Sequence, residues 1–439
     1  MVNYKAFDLR DKRVLVMGLG LHGGGVGTVQ FLAKQGARVM VTDLRTKKVL
    51  APSLEKLKDV KGITYVLGRH RESDFLKSDL IVKNPGVPPT SPYLVLARKH
   101  KIPITTDMGI FFRECPGMII GITGTRGKST TAWLIWKFLK TKYKRAFLGG
   151  NIRKSVLEFL PELKQGDLIV LELSSFQLQD LSLDRVSPPV AVVINLMRDH
   201  LNWHRTMSEY AAAKSVIFKF QKKTDHLFAN AEDPEVRKMI RRAPGVITKP
   251  RLAAPFRAVV DEKLGTHYRQ ATAIAIAVGR HFGVRESAML GVLKKFKGLE
   301  GRQQLLPSVR GVRVVNDTTA TIPEAAIAAI ARIRAQKKPN EKIILIAGGS
   351  DKKLIFDEFT RTIEKYADET ILLPGKGTEK LKTALKRAGP RKNGRMPYEA
   401  RNMNDAVKEA FRRARKGDWI LLSPGATSFG LFVNEFDRG

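Results

Sequence analysis

Two apolar runs in this chain break into glycine-rich turns that pass straight into helical patterns, VLVMGLGLHGGGVG at 14–27 and MIIGITGTRGKST at 118–130. A strand turning on glycine into a helix is the first half of a βαβ unit, so a parallel strand has to return beside it. That restricts the fold to α/β architectures, with mostly parallel sheets covered by crossover helices. Around the first turn the pattern reads as strand 13–18, helix 24–35 and strand 38–43, and DLIVKNP supplies a further strand ended by Pro85. Beyond KIPITT and a short helix, GMIIGIT starts a new unit. It runs on through the strands DLIVLELSS at 167–175 and VAVVINLMRDH at 190–200 to the helical SEYAAAKSVIF. Near 300, KGLEGRQQ precedes a fresh strand, GVRVVND, and KIILIAGGS, ETILLPGKG and DWILLSPGATS repeat the order of strand then turn.

At 439 residues the chain is long for one core. The breaks near 106 and 300 divide it into three α/β domains: a Rossmann-like N-terminal domain at 1–106, a central P-loop ATPase-type domain with a mostly parallel sheet at 107–299, and a Rossmann-like C-terminal domain at 300–439. No repeat of fixed period is present, which excludes a solenoid.

With 78 basic and 42 acidic residues the formal charge is +36, which makes a polyanion a candidate partner. The excess is dispersed, as in KTKYKR, VRKMIRR and KRAGPRKNGR, and no zinc-finger, RNP or basic-zipper spacing accompanies it. It reads as solvated basic surface with no specific nucleic-acid partner. No apolar stretch approaches the roughly 20 residues that span a bilayer, and the N-terminus has no apolar signal core. A cytoplasmic protein with no membrane partner is the expectation. A single cysteine, Cys115, excludes an internal disulfide and reads as a small core filler.

The second turn decides the chemistry. GITGTRGKST follows an apolar strand and precedes a helix, the setting in which backbone N–H groups cradle phosphate. Gly124, Thr125, Gly127, Lys128, Ser129 and Thr130 are the candidate ATP-binding residues, Lys128 for the transferring phosphate and the Ser129 hydroxyl for Mg²⁺. Ile122 stands where the common phosphate-loop pattern has its first glycine. Glu172 and His200 lie at the carboxyl ends of the strands at 167–175 and 190–200, where open α/β sheets bind ligands. The first turn is ambiguous by itself: Asp43 occupies the place of a dinucleotide enzyme's ribose-binding acid, so residues 14–43 fit a nicotinamide cofactor as well as a nucleoside diphosphate.

GITGTRGKST, LELSSFQL, NLMRDHLNWH with YAAAKSVIF, NDTTAT, AGGSDKK and LLSPGATSFGLFVNEFDRG follow one another as in a known family. On these motifs the chain resembles the Mur ligases of peptidoglycan synthesis over essentially its whole length. LELSSFQL is most similar to the branch that adds D-glutamate to UDP-N-acetylmuramoyl-L-alanine. The resemblance implies an ATP-dependent amide ligase acting through an acyl phosphate, with UDP-N-acetylmuramoyl-L-alanine and D-glutamate as its partners, working as a monomer. It implies two Mg²⁺ ions at Ser129, Glu172, His200 and Lys214, the last as a CO₂-derived carbamate; Lys128, Glu172, His200 and Lys214 are then the catalytic group. Without the family, Lys214 reads as a helix lysine snorkelling to water. The resemblance further puts Leu21, His22, Gly23, Asp43, Arg45, Asn84, Pro85, Gly86 and Asn151 at the UDP-sugar, Arg302 and Asp317 at the nucleotide, and Thr321, Lys352 and Ser428 at D-glutamate, with Phe429 and Phe436 nearby. The chain departs from the family pattern at Arg198-Asp199-His200, where Glu-Asp-His is frequent, and at Thr318-Thr319-Ala320-Thr321, where many members have Ser-Lys-Ala-Thr. It departs again at Tyr268 and Ala271, which stand for a pair of asparagines near the adenine. The alternatives are another ligase of the Mur or folylpolyglutamate type, a nucleic-acid-binding P-loop ATPase, and a nicotinamide-dependent oxidoreductase that would leave Lys128, Glu172 and His200 idle.

Overall fold

A computed structural model describes residues 9–21, 23–151, 155–351, 354–387, 396–428, 432 and 435–439. The chain divides into two compact units, Met1–Phe256 with Tyr268–Val292, and Arg257–His267 with Leu293–Gly439.

The first unit holds two sheets. One contains β1 (Arg13–Met17), β2 (Arg38–Asp43), β3 (Thr64–Leu67), β4 (Leu80–Lys83) and β5 (Ile104–Thr105), all parallel in the order β3-β2-β1-β4-β5. Its register sets Met17 beside both Thr42 and Lys83, so the glycine turn after β1, Asp43 and Asn84 emerge along one edge. The other contains β6 (Met118–Thr123), β7 (Ala146–Gly150), β8 (Leu168–Glu172), β9 (Val190–Val193), β10 (His226–Ala229) and β11 (Val246–Thr248), parallel in the order β11-β10-β9-β6-β8-β7. Here Ile122 pairs with Glu172, Gly150 with Glu172, and Thr123 with Val193. The phosphate loop, Glu172, Asn151 and the segment after β9 therefore leave the sheet at one end.

β8 is buried at every position, which is why its sequence reads as an unbroken apolar run up to Glu172. Leu171, Val193 and Ile217 belong to one apolar cluster with Val14, Val29 and Leu32, so a single core joins the two sheets of this unit. Truncating Leu171 there costs about 2–5 kcal/mol. The motif SSFQ has a local structural cause: Ser174 caps the helix Ser175–Asp184, and the Gln177 side chain returns a bond to the Ser174 N–H.

The second unit carries β12 (Gln304–Leu305), β13 (Arg313–Asn316), β14 (Ile343–Ala347), β15 (Glu369–Leu372), β16 (Tyr398–Glu399) and β17 (Trp419–Leu422), ordered β12-β13-β17-β14-β15-β16. All neighbours are parallel except β12, which runs antiparallel to β13 and makes this sheet mixed. β3, β7, β10, β11, β12 and β16 were not among the strands expected from the apolar runs; each spans five residues or fewer. Among the described residues no helix is long and apolar enough to cross a membrane. Cys115 ends the helix Asp107–Glu114, packed partly against the core, and burial pushes its thiol up to about 11.

Candidate active site

The loop Gly124–Gly127 links β6 to the helix Lys128–Lys140, with Gly127 in the left-handed region at φ +79 and no side-chain cap. The helix thus begins with its first N–H groups uncapped by a side chain, at the positive end of its dipole. Asn195, just past β9, clamps the loop: its Oδ1 accepts from the Thr125 and Arg126 N–H groups at 2.9 Å each, and its Nδ2 donates to the Arg126 carbonyl at 3.1 Å. Lys128 Nζ donates to the Thr125 carbonyl at 3.2 Å. Ser129 Oγ donates to Glu172 Oε2 at 2.5 Å, while Asn151 Nδ2 donates to Glu172 Oε1 at 3.3 Å. Tyr268 and Ala271 both face Gly127, and the Tyr268 hydroxyl accepts from Thr130 at 3.2 Å.

Lys214 lies under this loop. Its side chain is 1% exposed, and Nζ donates to the Gly124 carbonyl at 2.9 Å and to Thr123 Oγ1 at 3.4 Å. Snorkelling is excluded. Burial drives the ammonium well below the ordinary lysine range, and Lys128 pushes the same way; Asp199 and Glu172 pull it back, and Arg126 lowers it again. The loop lysine, the strand-end glutamate and the neighbour of His200 therefore all bear on one buried amine. Burial therefore favours the unprotonated amine, the form whose nitrogen is nucleophilic.

His200 sits in the left-handed region at φ +53, starts the short helix Leu201–His204, and stands edge-on to Phe176 at 5.1 Å. Asp199 accepts from the His200 N–H at 2.9 Å and pairs with Arg126 at 3.4 Å, while Arg198 is exposed. His204 is buried against Ser175 Oγ at 2.9 Å, and burial lowers its pKa. The donors Ser129 Oγ and Glu172 carboxylate are hard oxygens that suit Mg²⁺, which uses one or two carboxylates and takes further ligands from substrate phosphate and water. Consistent with this, no cage of three or more His, Cys, Asp or Glu occurs among the described residues.

At the first glycine turn, Asp43 is 4% exposed and accepts from the Gly20 N–H at 3.1 Å and the Arg45 N–H at 2.8 Å. Asn84 Oδ1 accepts from the Gly86 N–H at 3.0 Å, with Pro85 between them. Gly18 approaches Asn84 so closely that an added Cβ would lie 3.0 Å from the Asn84 Cβ. Leu21 packs against the core and Gly23 opens the helix Gly24–Lys34.

Arg302, Asp317, Thr321 and Ser428 lie in the second unit. Asp317 follows β13, 5% exposed, and accepts from Ser423 Oγ at 2.7 Å and the Gln303 N–H at 3.0 Å. Burial outweighs these bonds and lifts its carboxyl to about 7. Thr321 N–H donates to the Thr319 carbonyl at 2.9 Å, and Ser428 is buried. Arg438, also buried, donates to the carbonyls of Ala426 at 2.9 Å and Thr318 at 2.6 Å, and burial lowers it to about 10. His22, Lys352, Phe429 and the Phe436 side chain lie outside the described residues. Sequence reasoning missed Asn195, Gln303 and Arg438; for Asn195 the available signal was a polar residue ending the apolar run VAVVIN.

Three family models match in succession: the Mur ligase MurD-like N-terminal domain at 12–106, the Mur ligase middle domain at 122–265, and the Mur ligase glutamate ligase domain at 301–425. The chain is 40% identical to the UDP-N-acetylmuramoylalanine–D-glutamate ligase of Roseiflexus sp. (strain RS-1), over 98% of this chain and 97% of that one. It is 34% identical to the ligase of the same name from Borreliella afzelii (strain PKo), with the same coverage. Solved structures share the fold: the UDP-N-acetylmuramate–alanine ligase MurC of Thermotoga maritima has a TM-score of 0.61 at 19% identity, covering 94% of this chain and 96% of that one. The MurF ligase of the same organism in complex with ADP has 0.56 at 17%, covering 95% and 92%. With a phosphate loop built over a buried lysine, and models and relatives that match along nearly its whole length, the chain belongs to the Mur ligase family.

Proposed function

We propose that this chain is an ATP-dependent amide ligase joining D-glutamate to UDP-N-acetylmuramoyl-L-alanine, in the assembly of peptidoglycan precursors. The observation that carries the chemistry is the buried Lys214 amine held against the Gly124 carbonyl beneath the phosphate loop, where Lys128, Glu172 and Asp199 act on it electrostatically. Lys128 and the N–H groups of the helix start hold the transferring phosphate. Mg²⁺ held by Ser129 and Glu172, and a second ion by His200 and a modified Lys214, would offset the repulsion between a carboxylate and a triphosphate. The substrate carboxylate oxygen bonds the γ-phosphorus as the bond to ADP breaks. The amine of D-glutamate then attacks the acyl carbon, the C–N bond forms, phosphate leaves with the C–O electron pair, and the amine proton passes to solvent.

In its unprotonated form, which burial favours, the Lys214 amine attacks CO₂: an N–C bond forms, an oxygen takes the π pair, and an N–H proton leaves for solvent. A side chain that is otherwise basic thereby becomes anionic. Leu21, His22, Gly23, Asp43, Arg45, Asn84, Pro85, Gly86 and Asn151 serve the UDP-sugar, Arg302 and Asp317 the nucleotide, and Thr321, Lys352 and Ser428 D-glutamate. Domain limits of 1–106, 107–299 and 300–439, a cytoplasmic site of action and a monomeric state complete the reading. The test is phosphate release with ATP, UDP-N-acetylmuramoyl-L-alanine and a panel of amino acids, each omitted in turn. Release that needs all three, with D-glutamate preferred, is expected; release without the UDP-sugar, or an equal response to every amino acid, overturns it.

A further inference from the structure

Lys83, the last residue of β4, is 1% exposed, and its Nζ lies 2.5 Å from Asp180 Oδ2 on the helix Ser175–Asp184; Asp180 is 5% exposed. The same ammonium donates to the Asn84 carbonyl at 3.4 Å. That carbonyl also accepts from the Val87 N–H at 2.9 Å, closing the turn that continues β4, and the Asn84 side chain abuts Gly18 and Gly20 of the first glycine turn. On the other side, the helix bearing Asp180 begins three residues after Glu172. One buried ion pair therefore ties the turn 84–87 of the first sheet to the element that follows the metal-binding glutamate of the second.

Stability alone does not account for such a pair, because apolar residues of similar volume in its place are commonly neutral or stabilising. A pair of directional bonds does what apolar contact does not: it admits one placement of strand against helix where greasy surfaces can slide. The surroundings fit that role. Asp107 and Arg98 also act on Lys83, and Asp107 and Asp184 act on Asp180, with Arg113 bound to Asp184. Burial lifts the Asp180 carboxyl to about 6, and Lys83 is the group that pulls it back down.

We propose that Lys83 is a positioning residue that, through Asp180, holds the turn 84–87 against the helix after Glu172 and so sets the UDP-sugar pocket in register with the phosphate site. The assignment of that pocket rests on the proposed function; the hold on the turn does not. Lys83→Met and the charge-free pair Lys83→Met/Asp180→Leu are compared with the wild-type full chain, the double variant covering the case in which the single one does not fold. With the double variant folded, the KM for UDP-N-acetylmuramoyl-L-alanine is expected to rise about tenfold, with kcat and the KM for ATP changed by less than about threefold. Amide hydrogen exchange at Gly86 and Val87 is expected to quicken. An unchanged KM with unchanged exchange overturns the proposal and leaves the pair a structural contact. If the wild-type chain fails to ligate these substrates, the functional reading falls, while exchange at Gly86 and Val87 still decides whether Lys83 holds the turn.

Discussion

The helices Gly24–Lys34 and Lys128–Lys140 open in the same way, each behind a glycine in the left-handed region, Gly23 at φ +88 and Gly127 at φ +79, and neither with a side-chain cap. Their surroundings differ. At the first turn the loop N–H of Gly20 is taken by the Asp43 carboxylate, which pairs in turn with Arg45 at 3.7 Å. At the second, the loop N–H groups are taken by the neutral amide of Asn195, and Lys128 and Arg126 add positive charge. The backbone makes each turn a place where an anion can approach a helix start; the side chain that braces the turn decides how much charge it tolerates. Gly18-x-Gly20 spacing alone therefore does not distinguish a cofactor fold from a nucleoside diphosphate pocket.

The largest break in this comparison comes from Lys128→Ala, which removes the lysine of the phosphate loop. ATP-dependent phosphate release should fall by about 10³-fold or more with the melting curve unchanged, and wild-type turnover would refute the phosphate role. Lys214→Ala comes next, with a loss of about 10²-fold that added short carboxylic acids partly restore. Full activity in that variant rules out the carbamate. Asn195→Ala and Asp43→Ala sharpen the contrast, since each removes a brace from one turn. The first should raise the KM for ATP and the second the KM for the UDP-sugar, each by about tenfold and each sparing the other substrate; matching effects on both would show that the turns do not act separately. The smallest signal is a slope. The unfolded chain keeps Lys214 protonated up to its ordinary 10.5, whereas the folded chain sheds that proton well below it, so stability should rise as pH climbs toward that range. In CO₂-free buffer Lys214→Met should flatten the rise with pH of the unfolding free energy from urea titration by no more than about 1.4 kcal/mol per pH unit, and a variant with the wild-type slope would place the ammonium in water.

The phosphate loop was legible because its parts are consecutive: strand, glycines, lysine and serine leave β6 in one short stretch, and covalent geometry brings them together. Glu172 was legible for a related reason, as a lone carboxylate closing an apolar strand. Asn195 was not, because it works through two backbone donors about 70 residues away that leave no mark on composition. Lys214 was ambiguous because YAAAKSVIF has helical periodicity whichever face is buried, and only the packing under Gly124 selects one. The missed strands failed for lack of length or pattern: β7 is AFLGG, ending in two glycines, and β12 is two residues whose pairing with β13 exists only in three dimensions. Lys83 and Asp180, 97 positions apart, are beyond any local rule.

Arg438 grips Thr318 and Ala426 by their carbonyl oxygens, an atom every amino acid possesses. Its guanidinium thus fixes the route of two loops, and at Thr318 it also engages the side chain, Nε donating to the hydroxyl at 3.3 Å. Thr319 follows directly on one of these anchors, and its own hydroxyl donates to the Gly301 carbonyl at 3.0 Å. Removing that one side chain would free both loops at once and leave two buried carbonyls without their donor, so the cost of change is concentrated in the arginine.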